Sequence, residues 1–455
     1  MEENTVENPT EKQLRLDVKT TVYIAFGFFS ILMLWQVYNA YIPLFLARLL
    51  DIDQAINPED AWIVGFIMAL DNIFALIMLP IFGILSDRTR SRHGRRMPYI
   101  ILGMLAAAIV FPFIVVMYYL NSFWGVIIVM LMVLIIMNIY RNPAVALMPD
   151  VTPKPLRSKA NGIINLIGYV GAIIGGGLLL VFGENVENPL LNLIPFSIVS
   201  AFMLVAMVVL FVKIKENKLV AEKAEDMMVG EKESEAIGVV AEDVPLSKSD
   251  LRNVWLILVS VFLWFAAFNA IETFHSTYAE EVLGDAAIGG AITIVLVMAS
   301  LVAFIPSAIL ASFIGRKWTI VSGLAVMMGG LFLCMLVNEA NVVFFSGIVF
   351  AGFGWAMINV NSYPMIVETA HKNNIGKFTG FYYTSSMLAQ SFTPVVAGWV
   401  IGWVSFFGFS GYEVLFPYAF VLVGFALVVF FFILEKKDKP KDIKKGIEAF
   451  DVDLD

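Results

Sequence analysis

Twelve apolar runs, each long enough to cross a lipid bilayer as a helix, limit what this chain can fold into. A hydrocarbon core of about 30 Å needs about 20 apolar residues in helical form. Inside it each backbone N–H and C=O must be satisfied within the segment, which a helix does by itself. The runs fall at 21–46, 61–85, 98–120, 123–147, 160–183, 191–213, 252–276, 286–312, 318–337, 341–366, 377–404 and 414–434. Barrel strands would read as shorter alternating segments, which this sequence does not show. The expected fold is an all-α membrane protein of twelve transmembrane helices. Composition agrees: 59% of the 455 residues are hydrophobic and 15% charged, against roughly 45–50% and about 25% in soluble domains.

Twelve spans return both ends of the chain to one side, and the basic residues say which. Of 30 Lys and Arg, 28 fall in the tails, the even-numbered connections or the helix ends beside them. The exceptions are Arg48, in the first odd-numbered connection, and Arg141, within the fourth span. The odd-numbered connections are acidic, with Asp51, Asp53, Glu59 and Asp60, then Glu184 and Glu187, then Glu280, Glu281 and Asp285. By the positive-inside rule both termini are cytoplasmic, in a multi-pass protein of the cell membrane. The polar first residues (Lys12, Arg15, Lys19) run straight into the first span without a small-residue cleavage site, so an uncleaved first helix is expected. The single cysteine, Cys334, forms no intramolecular disulfide.

The longest connection divides the chain. Residues 214–250 are rich in Glu, Lys and Ala, a composition that cannot bury a core. The organisation expected is a cytoplasmic tail (1–20), a six-helix half (21–213), a cytoplasmic linker (214–250), a second six-helix half (251–434) and a cytoplasmic tail (435–455). The halves share a motif. Leu147-Met-Pro-Asp150 through Lys154 to Lys159 and Gly162 aligns without a gap on Met365-Ile-Val-Glu368 through Lys372 to Lys377 and Gly380. A weaker pair sets Gly83 through Arg96 against Ser307 through Lys317. Parallel halves related by an axis along the membrane normal are one repeat plan of transporters, with the binding site at the midplane between them.

The stretch Ser86-Asp-Arg-Thr-Arg-Ser-Arg-His-Gly-Arg-Arg96 places five arginines in eleven residues after the second span. Such a loop anchors topology. It can also gate, because guanidinium–carboxylate bonds between helix ends are discrete and breakable. Gly83 admits a neighbouring helix closely. Gly83-x-x-x-Asp87-Arg88 followed by Gly94-Arg95-Arg96 resembles the signature loop of the major facilitator superfamily. The longer spelling to Pro98, with Asn142-Pro-Ala-Val-Ala-Leu-Met-Pro-Asp150 and Asn359-Val-Asn361-Ser-Tyr-Pro364, is similar to proton-coupled sucrose transporters within the glycoside–pentoside–hexuronide group. The resemblance departs at one position. Plant sucrose carriers place an arginine five residues before the helix-four aspartate, where this chain has Val145, with Arg141 one turn earlier.

The resemblance implies a sugar–proton symporter working by alternating access, for a disaccharide or other glycoside. The alternatives are a Na⁺-coupled glycoside symporter, whose relatives carry paired acids in helix two where Asp71 stands alone, and a transporter-like sensor. The gate residues it implies are Gly83, Asp87, Arg88, Gly94, Arg95, Arg96, Asp150 and Arg157, with Glu368 and Lys377 in the second half.

Ionisable residues within spans are functional hypotheses by default. Asp71 and Glu272 are the candidates for proton coupling, since a carboxylate in a low-dielectric cavity can load and release a proton near neutral pH. Counting along the spans at about 1.5 Å per residue sets Arg141 and Asp71 roughly 10 Å apart in depth. That directs Arg141 to Asp150, the gate or a substrate hydroxyl. Sugar ligands are expected among Gln36, Tyr38, Asn39, Asn72, Arg141, Asn165, Asn269, Asn359, Asn361 and Gln390, with Trp35 and Trp355 as ring faces. Gln36 and Asn39 share a helix face at i, i+3. Gly168, Ala172 and Gly176 form a packing face of small residues. No phosphate-binding loop, His-Glu-x-x-His or Gly-x-Ser-x-Gly occurs, so neither ATP hydrolysis nor an enzyme is expected. No cofactor, metal or nucleic-acid partner is expected either, and the protein is read as a monomer in the lipid bilayer.

Overall fold

The computed structural model describes residues 14–51, 53–236, 248–369, 375–405 and 408–433. The N-terminal half contains α1 (Val18–Leu50), α2 (Ala61–Arg88), α3 (Met97–Val110), α4 (Phe113–Tyr119), α5 (Phe123–Val151), α6 (Arg157–Phe182) and α7 (Leu193–Lys213). A further helix, α8 (Glu216–Ala236), follows. The C-terminal half contains α9 (Lys248–Leu283), α10 (Ala287–Ile314), α11 (Arg316–Met335), α12 (Val342–Thr369), α13 (Ile375–Trp403) and α14 (Leu415–Phe431).

These helices make twelve membrane spans, because α3 and α4 are one span interrupted at Pro112, the N-cap of the second piece. Proline has no N–H to continue the ladder. Eleven of the helical segments are long and apolar enough to cross a bilayer by length and composition. The twelfth, α13, is 29 residues long but carries Thr379, Ser385, Ser386, Gln390, Ser391 and Thr393, which lowers its hydropathy. Local signals fix several ends. Asp17 caps α1 by accepting from the Thr20 N–H at 3.0 Å, and Ser122 does the same for α5 through Gly125, each satisfying a donor the helix leaves open. Gly315, at φ 85°, turns the chain between α10 and α11.

The neighbours repeat between the halves. In the first, α1 packs on α6 and α7, α3 on α5 and α7, and α2 on α5; in the second, α9 packs on α13 and α14, α11 on α12 and α14, and α10 on α12. Across the interface α2 lies on α13, and α6 on α10. Each crossing joins the second span of one half to the fifth of the other, as a pseudo-twofold axis requires. Small residues bring these helices together. An added Cβ on Gly171 would stand 2.4 Å from the Phe29 carbonyl oxygen of α1, and one on Gly290 2.3 Å from the Gly176 oxygen of α6. Gly168 and Gly176 of the expected face meet Leu32 and Thr293.

The two ends of the bundle differ. At the acidic face, where the odd-numbered connections lie, the halves touch backbone to backbone. Gly398 meets Ala61, Gly402 meets Pro58, and Gly65 meets Pro394. Toward the basic face, Gly162 of α6 and Gly380 of α13, the paired glycines of the repeated motif, have nothing within 4 Å of an added Cβ. The structure is closed at the acidic face.

Candidate functional site

α1 supplies the first half of the site. Gln36 and Asn39, one turn apart, both reach into the C-terminal half. Gln36 Nε2 bonds Thr293 Oγ1 of α10 at 3.1 Å, and Asn39 Nδ2 donates to Glu272 Oε1 of α9 at 3.3 Å. Thr293 Oγ1 also lies 3.2 Å from His275 Nε2, while His275 Nδ1 lies 2.9 Å from the Glu272 carbonyl oxygen. These bonds assign the tautomer. A carbonyl oxygen only accepts, so Nδ1 carries the proton and the neutral ring leaves Nε2 as an acceptor. The Thr293 hydroxyl then donates to Nε2 and accepts from Gln36.

Asn72 of α2 spends its donor similarly, on the Gln390 carbonyl of α13 at 3.2 Å. Gln36, Asn39 and Asn72 therefore all give their amide nitrogens to protein partners. Their amide oxygens make no hydrogen bond among the described residues.

Beside them stand the ionisable residues. Asp71 Oδ1 and the Tyr38 hydroxyl are buried with no hydrogen-bond partner among the described residues. Arg141 and Glu272 lie within coulombic range of Asp71, and Asp71 within that of Tyr38. The Arg141 guanidinium carbon lies 6.0 Å from the Trp35 ring centre, and Trp35 packs on Tyr38 at 5.3 Å. As their separation in depth leads one to expect, Arg141 and Asp71 form no ion pair among the described residues, although Arg141 lies within coulombic range of Asp71. Nor does Arg141 pair with Asp150, which two other arginines occupy. Val145, one turn beyond Arg141, is 44% exposed.

The C-terminal half adds an aromatic face. Trp355 of α12 stacks on Phe268 of α9 at 3.8 Å and 11°, with Phe265 edge-on at 5.3 Å. The remaining expected ligands are more dispersed. Asn269 and Asn361, both buried, donate to carbonyls one turn back in their own helices, Phe265 and Met357. The backbone carbonyl of Asn359 accepts from Ser362. Asn165 is exposed on α6 and joins none of these bonds.

The residues of the arginine loop gather at the basic face of the N-terminal half. Arg96, 5% exposed, pairs with Asp87 of α2, bonds Asp150 of α5 at 2.9 Å and reaches Ser86 Oγ at 2.5 Å. Arg95 takes the other Asp150 oxygen at 2.7 Å. Arg157 donates to the Pro149 and Thr152 carbonyls that end α5. An added Cβ on Gly83 would lie 2.7 Å from the Asn142 amide nitrogen. Arg88 is exposed, Lys377 lies over Phe381 at 5.7 Å, and the side chain of Glu368 falls outside the described residues.

Glu216, at the start of α8, was not among the expected residues. It is 2% exposed and accepts the backbone N–H groups of Arg95, Arg96 and Met97 at 2.9–3.1 Å. Gly94, at φ 113°, leaves room for it. A carboxylate at a helix N-terminus satisfies open donors and meets the positive end of the helix dipole. The sequence hides this role, because Glu216 opens a stretch crowded with acids. Thr293 is hidden differently, as one hydroxyl in an apolar run.

The sequence profile of the Major Facilitator Superfamily matches residues 24–304 and 283–452. The chain belongs to that superfamily. Solved structures agree on the fold of this facilitator at low identity. A D-xylose–proton symporter superposes with a TM-score of 0.64 and 15% identity, over 92% of this chain and 98% of its own. The nucleoside transporter NupG gives 0.60 and 11%, over 90% and 97%. A bacterial homologue of the human lysosomal transporter Spinster, inward-facing and occupied, gives 0.64 and 13%, over 91% and 96%. A protein of Synechocystis sp. described as an uncharacterized symporter is 47% identical over 49 residues. That match spans only 11% of this chain and 9% of the relative.

Proposed function

We propose that this facilitator is a secondary active transporter that moves a sugar, a disaccharide or other glycoside, together with protons by alternating access. The carrying observation is the acceptor set between the halves. Three amide oxygens and the Asp71 carboxylate, with Glu272 beside them, suit a ligand rich in hydroxyl donors. Trp35 and Trp355 suit the apolar face of a sugar ring. Asp71 and Glu272 are the proton-coupling residues in this reading, and Arg141 orients a hydroxyl or offsets their charge. Gln36, Tyr38, Asn39 and Asn72 are the nearest ligands, with Asn269, Asn359, Asn361 and Gln390 around them. The arginine loop acts as the gate at the basic face, which is the cytoplasmic one. The protein works as a monomer in the cell membrane, with both termini in the cytoplasm.

An uptake screen in proteoliposomes tests this. Labelled disaccharides and glycosides are offered under an imposed pH gradient or an imposed Na⁺ gradient. The expected result is accumulation of at least one sugar driven by the pH gradient alone. Accumulation driven only by Na⁺ would replace the proton in this reading, and no accumulation of any sugar would remove the substrate class.

A further inference from the structure

Arg48 is the one basic residue among the connections and helix ends of the acidic face, and it is only 9% exposed. Its three nitrogens are all engaged. Nε donates to Glu184 Oε2 at 2.8 Å, Nη2 to Glu280 Oε1 at 2.5 Å and Nη1 to the Gln54 carbonyl at 3.1 Å. Tyr118 donates its hydroxyl to the other Glu184 oxygen at 3.1 Å. Glu280 turns its second oxygen to the Ala286 N–H at 2.9 Å, next to the first residue of α10.

The division between the halves passes through this cluster at one place. Arg48 ends α1, Tyr118 belongs to α4, and Glu184 follows α6, so these three travel with the N-terminal half. Glu280 and Ala286 travel with the C-terminal half. We infer that the Arg48–Glu280 pair is a polar latch between the two halves at the acidic face, and that it breaks when the carrier opens on that side. This rests on the alternating-access part of the reading above, and on neither the sugar nor the proton.

Each side of the latch is provided for when it parts. Arg48 keeps Glu184 and the Gln54 carbonyl, and Glu280 keeps the Ala286 N–H, so opening leaves no charge buried without a partner. A buried charge stripped of every partner would make the open state inaccessible. The short charge-assisted bond between them is of the kind that favours one closed arrangement strongly while remaining a single, separable contact. The placement also accounts for an arginine where the positive-inside rule disfavours one. Among the described residues, it is the ion pair that joins the halves on this face.

The test follows the separation of the halves directly. Cysteines replace Glu187 and Glu339, exposed residues on the two sides of the acidic face, in a Cys334→Ala background. Nitroxide labels on them report a distance distribution by pulsed electron paramagnetic resonance, in lipid nanodiscs without any sugar. The native residue at 280 should give one dominant short separation. Glu280→Gln should raise a longer population by about tenfold, the scale of one lost charge-assisted hydrogen bond. Arg48→Gln should move it in the same direction. Glu280→Gln keeps Arg48 paired and an acceptor for Ala286, so it decides the matter even if Arg48→Gln does not fold. A Glu280→Gln distribution identical to the native one overturns the latch. Failure of sugar uptake in every form, with the distance change intact, would remove the sugar reading and leave the latch standing.

Discussion

Gln36 enters the site with its orientation already set by residues 257 and 239 positions away in the chain, Thr293 and His275. Its nitrogen is committed to Thr293, and in the proposed mechanism its oxygen is the group left for the substrate. Thr293→Val keeps the shape and deletes the hydroxyl, so the amide loses its anchor. The expected effect is a rise in KM for the transported sugar of about tenfold, the scale of one hydrogen bond, with maximal velocity changed much less. Uptake kinetics in proteoliposomes measure both, and an unchanged KM would deny Thr293 this role. Asp71, Glu272, Gln36 and Asn39 stand out in the sequence because a polar group in an apolar run carries a solvation penalty that demands a reason. Thr293 does not stand out, since a single hydroxyl can bond its own helix carbonyls at no visible cost.

Helix ends show the same contrast at the scale of elements. The twelve spans follow from apolar run length, and most boundaries fall within a few residues of those expected. The break at Pro112 and the helical character of Glu216–Ala236 do not emerge from run length, because one is a local interruption and the other depends on docking. Docking occurs through Glu216 onto the start of α3, and through Lys154 to Glu231 at 2.9 Å. Glu216→Ala would leave the N–H groups of Arg95, Arg96 and Met97 without their acceptor. The expected loss is about 1–3 kcal/mol of stability, read as a lower thermal midpoint of the detergent-solubilised protein. Glu216→Gln, which keeps an acceptor oxygen, should lose less. Equal midpoints for Glu216→Ala and the native protein would show that the cap contributes nothing.

The repeated motif, the matching neighbours of the two halves and the crossings of α2 on α13 and α6 on α10 belong to one design at the scale of the molecule. Glu272, held by Asn39, lies where α1 meets the C-terminal half, beside the Gln36–Thr293 bond that also joins the halves. In the proposed mechanism this arrangement would link occupancy of the site to the relative position of the halves. The sequence reveals the duplication, since its motif aligns without a gap. It does not reveal which face is closed, because the contacts that decide it, such as Gly398 on Ala61 and Arg48 on Glu280, join residues remote in the chain. In the proposed mechanism a sugar and a proton cross together, the proton carried on Asp71. Charge movement on a solid-supported membrane bearing the reconstituted protein tests it most directly. Addition of a transported sugar, with no ion gradient imposed, should evoke a transient inward positive current that Asp71→Asn abolishes while sugar exchange persists. A full current in Asp71→Asn, or sugar uptake in the native protein with no charge movement at all, would contradict the account.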